Sequence, residues 1–527
     1  IANSDLIAKS GAEIFWKIDS SKQVNMTLNP DFGQVESDEV VVNFSAFETF
    51  YSDKRPFFSE NNNLFDVRSM MHRVINTRRI GGKPDYNCSL FGEEEEYCQN
   101  NQADSSEIDF ALKYTQKGEV DFGLLTASER DQKFSKGRDY YALRLNTKQD
   151  SLRYGYLGTY VNKPVFDSNA LVNSFDFEYL PSKAHRFTSN LLHSNVEETD
   201  GFGLAFGYRY DLNKDFSSGI GINYYDENLD LNDMGYLILN DRMMFNGRTQ
   251  FKKTSFSKDS IFRFRLYEIG YGSKFNADSS RESSNFALKL EANFIDLSEL
   301  KTEIFYRSTG KNTRITRGSQ LSPYIKMPKG TGGYIEFTGP RKPLYIYSLR
   351  LERGRGSEHS PEIGWKNSSR GFIKFMPLDN LSFSMMYQHE DEKDWLNWLD
   401  DNLLAAYERK QRTSILELEW FHKNKHELRV KAQMVAFTGR DPVPYLGDQT
   451  GTLNPVNIDL SPITISELAF QVRYRYELMP LSYLYVVYSK GGRVSLQDDE
   501  EDLFNLYRRP WNSPEKENFT IKLRYRF

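Results

Sequence analysis

The chain has 527 residues, of which 39% are hydrophobic, 27% charged and 14% aromatic, with a mean hydropathy of -0.64. No apolar run approaches the ~20 residues that a membrane helix needs, which excludes helical spanning, whereas strands that alternate apolar and polar residues average out as hydrophilic and escape that test. A formal net charge of -5 with no basic, aromatic-interleaved stretch argues against a nucleic-acid partner, and 32 Tyr with 38 Phe suit the aromatic girdles of a membrane barrel.

Residues Ile1–Ser10 have neither the basic start nor the apolar core of a signal peptide, so either a leader was removed or a longer polypeptide precedes them. Strands are expected near 13–19 and 23–29, making 1–29 the first strands of a barrel. The stretch 30–104 is too long for a structureless loop. It mixes Phe44, Phe47, Phe50, Tyr51, Phe57 and Phe58 with Glu48, Lys54, Arg55, Arg78 and Arg79. Apolar anchors with charges suit a plug packed on a polar inner wall, the alternatives being an extracellular cap or a disordered loop. Within it, Cys88 and Cys98 are expected to form a local disulfide rather than to bind metal.

The same stretch contains a distinctive block: Asn29-Pro30-Asp31-Phe32-Gly33-Gln34-Val35-Glu36, then Phe47-Glu48, Lys54-Arg55-Pro56-Phe57-Phe58 and Arg78-Arg79-Ile80-Gly81. This resembles the hallmark of a large, poorly characterised bacterial family with a carbohydrate-binding-like N-terminal module and a C-terminal outer-membrane β-barrel. The match is close over this block only, and Ser52-Asp53 and Asn61 depart from the family pattern. The resemblance implies an architecture, an outer-membrane location in a Gram-negative cell and an upstream module. It implies no chemistry.

From residue 105 to 527 the period is two, as in Phe202, Leu204, Phe206, Tyr208 and Tyr210, or Phe286, Leu288, Leu290 and Ala292. Ile108, Phe110, Leu112 and Tyr114 are read as one apolar face, and Phe262, Phe264 and Leu266 as another. The intervening Arg263, Arg265, Lys289, Arg429, Lys431, Arg473, Arg475 and Arg524 are expected to face the lumen, where a ring of cations would favour anionic solutes unless acids such as Glu291 and Glu427 pair with them. Connections are expected to alternate strictly between short turns and long loops, the long ones including 129–137, 226–235, 310–331, 391–404, 439–463 and 492–513. That pattern predicts an all-β transmembrane antiparallel barrel of about 22–24 strands, with the segment 30–104 inserted in or over its lumen. The last strand, with Phe519, Ile521, Leu523, Tyr525 and Phe527 on one face, resembles the signature read by barrel-insertion machinery. Counting strands back from it puts the short turns in the periplasm and has 30–104 leave from the extracellular rim. The strand near 13–19 then runs parallel to the last one, so a further strand upstream is expected to complete the barrel.

No catalytic or cofactor motif is found, and an enzyme is not expected. Asp226, Asn228 and Asp230 have the spacing of calcium ligands but lack the sixth-position glycine and twelfth-position acid, so a solvated acidic loop is the plainer reading. The acidic runs 93–96 and 498–502 are read as solvated loops or as sites of cation bridging to lipopolysaccharide. Two functions compete: a transport or pore protein whose lumen 30–104 narrows, and a plugged, non-conducting platform that anchors a surface or periplasmic partner. A barrel enzyme with a Ser-His-Asn arrangement on its outer face is a minor third. Outer-membrane lipid and lipopolysaccharide are the expected surroundings.

Overall fold

Alternating residues become antiparallel sheet along most of the chain. The computed structural model describes residues 8–30, 41–45, 48–60, 62–69, 71–276, 278–355, 364–423, 425–480, 482–498 and 502–525. Asp31, Phe32, Gly33, Gln34 and Glu36 of the sequence block, with Phe47 and Phe527, lie outside them. Among the described residues 24 strands are hydrogen-bonded into antiparallel sheet, and no helix is long and apolar enough to cross a membrane.

Two units share the chain: 1–36, 47–211 and 219–245 form the first, and 37–46, 212–218 and 246–527 the second. This differs from a three-part division at 30 and 105, because the inserted segment from 48 onward belongs with the strands it covers. In the first unit a meander runs through β1 (Ala12–Lys17), β2 (Lys22–Leu28), β3 (Ile108–Gln116), β4 (Val120–Glu129), β5 (Asp139–Gln149), β6 (Leu152–Lys163), β7 (Ser168–Ser182), β8 (His185–Val196) and β9 (Thr199–Asp211). Each strand pairs antiparallel with the next. The two faces differ sharply: on β5, Tyr140, Ala142 and Arg144 are buried, while Tyr141, Leu143 and Leu145 are exposed. Segment 48–104 covers the first face, and the second presents a row of uncovered apolar side chains.

Strands Phe216–Tyr225 (β10) and Arg242–Lys253 (β11) carry residues of both units. The second unit continues with β12 (Phe262–Asn276), β13 (Arg281–Phe294), β14 (Glu299–Arg307), β15 (Gly330–Thr338), β16 (Tyr345–Arg355), β17 (Trp365–Leu378), β18 (Leu381–Asp400), β19 (Leu403–His422), β20 (His426–Gly447), β21 (Ile463–Met479), β22 (Ser482–Leu496) and β23 (Lys516–Arg524). These again pair in sequence order. Phe286, Leu288, Ile304, Ile335, Leu349, Leu351, Ile373 and Phe383 are exposed on one face.

Three expectations need correction. Strict alternation of short and long connections fails, because Glu197-Glu198, between β8 and β9, is a two-residue turn on the side expected to carry long loops. Both residues have positive φ, 51° and 64°, the geometry that matches strand twist in a tight hairpin. Second, 391–404 is not a long loop: β18 and β19 run to a tight turn at Asp401, and β20 likewise extends into 439–463. Trp395, Tyr407 and Phe437 stack across these strands and are buried with Phe44 against them, so the extension has its own apolar core. Third, loop 226–235 is not a solvated acidic tip. Leu229, Leu231 and Met234 are almost fully buried in the main cluster of the first unit.

Candidate functional site

The site with most structure is the covered face of the first unit, where residues 48–104 dock. Two parts of the sequence block meet there. Pro56, pre-set for a helical start, opens the short helix Pro56–Ser59, which drives Phe57 and Phe58 into the core, 5.0 Å apart and edge to face. Arg55 lies over Phe58, pairs with Asp53 at 2.6 Å, and donates to the carbonyls of Ile80, at 2.8 Å, and Thr77. Asp53 also accepts from Thr77 Oγ1 at 2.7 Å. Burial alone would push the Asp53 carboxyl up, but Arg55 and Thr77 together hold it below the usual carboxylate range. Gly81 has φ of +76°, which a side chain would strain, and its N–H donates to Glu129 Oε1 at 2.8 Å. The block is therefore a clamp that ties two separate turns together and fixes them to β4.

Strand side chains grip the segment in turn. Lys113 of β3, buried, donates to the carbonyls of Phe57, at 2.7 Å, and Glu60. Arg144 of β5 donates to Leu64 O at 3.0 Å and pairs with Asp176. Arg79 holds Glu48 by two bonds of 2.8 and 2.6 Å and reaches Gly235 O, while Arg138 pairs with Asp85. Arg78 lies beside Arg79 in the same 3-10 turn, Thr77–Arg79. Asn29, with φ of 44°, ends β2 and accepts from Arg130 at 3.0 Å; Pro30 follows it. Cys88 and Cys98 are bonded, their Cα atoms 5.6 Å apart, and pack on Phe134.

At the centre lies His72, 1% exposed. Its Nε2 is 2.7 Å from Asn190 Oδ1, and its Nδ1 is 2.9 Å from both Tyr225 Oη and Ser69 Oγ. With Asn190 donating through Nδ2 to Ser174 Oγ, its Oδ1 accepts, so the imidazole carries its proton on Nε2 and accepts at Nδ1. Burial pushes the imidazole down to about 4 from 6.5, against the smaller opposing effect of the Asn190 bond. The sign follows: the unfolded side chain takes up a proton as pH falls below about 6.5, the docked one only near 4. Docking therefore loses up to roughly 3 kcal/mol across that window and keeps it above neutrality. Hydrogen exchange of residues 62–80, corrected for intrinsic rates, should quicken between pH 7 and 5 in the native chain. His72→Gln should abolish the dependence; if it persists in that variant, His72 is not its source.

Elsewhere the predicted residues divide. In the second unit Lys289, Arg429, Lys431, Arg473, Arg475 and Arg524 share the polar face of the sheet, as their register requires. Arg265 does not. A bulge between Phe262 and Phe264 contains Arg263 and reverses the alternation, so Arg265 falls on the apolar face with Tyr267 and Ile269, its guanidinium 3.5 Å over the Phe262 ring. A similar shift between Ile108 and Phe110 turns Ile108 into the covered core. The cations do not form an open ring either. Glu427 contacts Arg429 and Arg473 at 2.7 Å and Arg475 at 2.5 Å, Lys431 faces Glu417 at 3.4 Å, and Lys289 faces Glu291 at 3.9 Å. Asp226 accepts from the backbone N–H groups of Asn228, Leu229 and Phe202, and Asp230 from that of Asn232, so these oxygens cap the loop. Among the described residues no group of three or more His, Cys, Asp or Glu could hold a metal ion.

Sequence reasoning missed His72, Lys113, Arg144 and Glu129. A lysine and a glutamate on the covered side of alternating strands β3 and β4 were the available signal.

A large antiparallel sheet with one uncovered apolar face, and a second face that is charged in the second unit and covered by an internal segment over an apolar cluster in the first, defines the class of this protein. The chain belongs to the family described as "Domain of unknown function (DUF5916)", whose model matches residues 2–126 and 159–527. No curated protein matches it. Among solved structures it is similar to the FrpB iron transporter from Neisseria meningitidis (F5-1 variant, apoprotein form), at 8% identity and a TM-score of 0.36, over 73% of this chain and 74% of that one. A bacterial polysaccharide outer membrane secretin is similar at 10% identity and a TM-score of 0.24, over 62% of this chain and 94% of that one.

Proposed function

We propose that the chain forms an outer-membrane β-barrel of a Gram-negative bacterium and acts in transport, with a lumen held shut at rest by residues 48–104. The observation that carries this reading is the difference between the two faces of the sheet. Tyr141, Leu143, Phe175, Leu288, Ile304 and Leu349 are exposed on one face, a cost in water that lipid removes. The other face carries paired charges in the second unit, and in the first unit it is covered by the internal segment over an apolar cluster with a few buried polar groups. The segment is held by Lys113 on carbonyls, by Arg55 on a turn and by a buried apolar cluster that includes Phe58, Phe65, Val74 and Ile80, so release exposes that cluster while the strands beneath keep their pairing. The insertion machinery and lipopolysaccharide are its proposed partners.

In planar bilayers the native chain should show almost no steady current. The double variant Arg55→Ala with Lys113→Ala, still migrating anomalously on gels unless boiled, should show discrete openings. Silence from a correctly inserted double variant would favour the second reading, a plugged platform for a surface or periplasmic partner. That reading is supported by how many separate elements grip the segment.

A further inference from the structure

We infer that the exposed face of the second unit binds the phosphorylated head of an acylated glycolipid, such as lipid A, in a groove across β14–β18. This rests on the reading that the exposed face meets the outer membrane. Going along that face from the short-turn end, β16 presents Tyr345, Tyr347, Leu349 and Leu351, then Arg353 and Arg355. β17 presents Phe375, Ile373 and Gly371, then Ser369, Asn367 and Trp365, and β18 presents Phe383, Met385 and Tyr387, then His389 and Asp391. The register aligns the change on all three strands: Leu351, Ser369 and His389 form one row, and Arg353, Asn367 and Asp391 the next. A headgroup boundary falls where an apolar face turns polar.

At that boundary lies an open groove of about 540 Å³, walled by Ile304, Ile335 and Leu351 on one side and by Ser369 and His389 on the other. Gly333 lies between Ile304 and Arg353 in register, where the Glu303 carbonyl and Ile304 approach so closely that a side chain would clash. Arg353 is held with its guanidinium 4.3 Å over the Trp365 ring, and Arg355 lies 5.7 Å from the same ring. Ser369, Asn367 and His389 make no side-chain hydrogen bond among the described residues. Uncommitted donors at a lipid boundary call for a partner from the lipid itself. A guanidinium fixed on an aromatic ring suits the paired oxygens of a phosphate, and the isoleucines beside it suit an acyl chain. On these rows one guanidinium, Arg353, stands against one carboxylate, Asp391, and Arg355 on the next row adds a second positive charge. Glu303 and Glu352 also line the groove, but by strand alternation their side chains leave on the opposite face. The groove lies at the end of the strands away from the short turns. In the proposed orientation this is the outer leaflet, where the phosphorylated lipid is lipopolysaccharide.

The test is native mass spectrometry of the full chain in detergent, titrated with lipid A, phosphatidylglycerol, phosphatidylcholine or inorganic phosphate. Lipid A should remain bound in preference to both phospholipids, and Arg353→Ala should weaken it by about tenfold, with Arg353→Lys recovering part of the loss. Equal retention by native chain and Arg353→Ala, equal binding of phosphatidylglycerol, or saturation by inorganic phosphate alone would each overturn the inference. Heat-modifiable migration and recovery with outer membranes are scored on the same preparations. If they hold while lipid preference is absent, only this inference fails; if they are absent from the native chain, the membrane reading fails first.

Discussion

If the proposed membrane reading holds, replacing Leu288 with Arg should destabilise the folded chain in lipid vesicles by roughly 2–4 kcal/mol, the cost of a charge at a barrel's lipid face near the bilayer midplane. Leu288 lies in the middle of β13 and is exposed on the apolar face, with Ile304 directly across from it on β14. The adjacent Lys289 faces the other way, 3.9 Å from Glu291, and at that distance its pair contributes little, under about 1 kcal/mol. Lys289→Gln should therefore be nearly neutral. Urea unfolding followed by tryptophan fluorescence measures both. Equal losses at 288 and 289 would mean that the apolar face does not meet lipid. The choice of Leu288 matters, because Phe262, at a bulge and stacked under Arg265, would report on the bulge as well as the membrane.

The second large effect is expected at Glu427. Its side chain is 3% exposed and is the common partner of Arg429, Arg473 and Arg475, reached from its own strand and from β21. Glu427→Ala leaves three guanidinium groups facing one another, one of them, Arg473, nearly as buried as the acid. Arg429 and Arg475 stay partly solvated, 41% and 35% exposed, and Arg429 keeps Glu419 at 3.5 Å, so the cost falls mainly on the buried Arg473 and should be about 2–3 kcal/mol, below the ~3–5 kcal/mol of a fully buried pair. Glu427→Gln keeps the shape and an accepting oxygen and should lose less. A loss below about 1 kcal/mol for the alanine variant would show that water reaches the cluster. On the proposed transport reading, cations paired this closely would attract an anionic solute far less than the same number of free ones.

These two sites show how the face of a residue and its partner are decided at different levels. That Leu288 and Lys289 oppose each other follows from strand geometry alone, since successive side chains leave a strand on opposite sides. Period two is thus a local property, and it made the sheet, its apolar face and its charged face readable residue by residue. The disulfide between Cys88 and Cys98 was readable for a similar reason, as a short-range pattern with few ways to be satisfied. Arg265 marks the limit. One extra residue in a bulge reverses the alternation, and nothing in Phe262-Arg263-Phe264 announces it.

Tertiary structure decided the rest, because it depends on which distant segments meet. Glu427 and Arg473 are 46 residues apart, and Lys113 and Phe57 are 56 apart. The same Lys113 would be solvated on an uncovered sheet and is buried only because Phe57 and Glu60 close over it. Loop 226–235 looked acidic and solvated by composition, yet its alternate residues Leu229 and Leu231 fill the core under the inserted segment, and Asp226 and Asp230 cap its turns. Composition and period report what a side chain prefers. Whether that preference is met by lipid, by water or by another part of the chain is set by register and coverage, which are long-range and belong to the folded molecule.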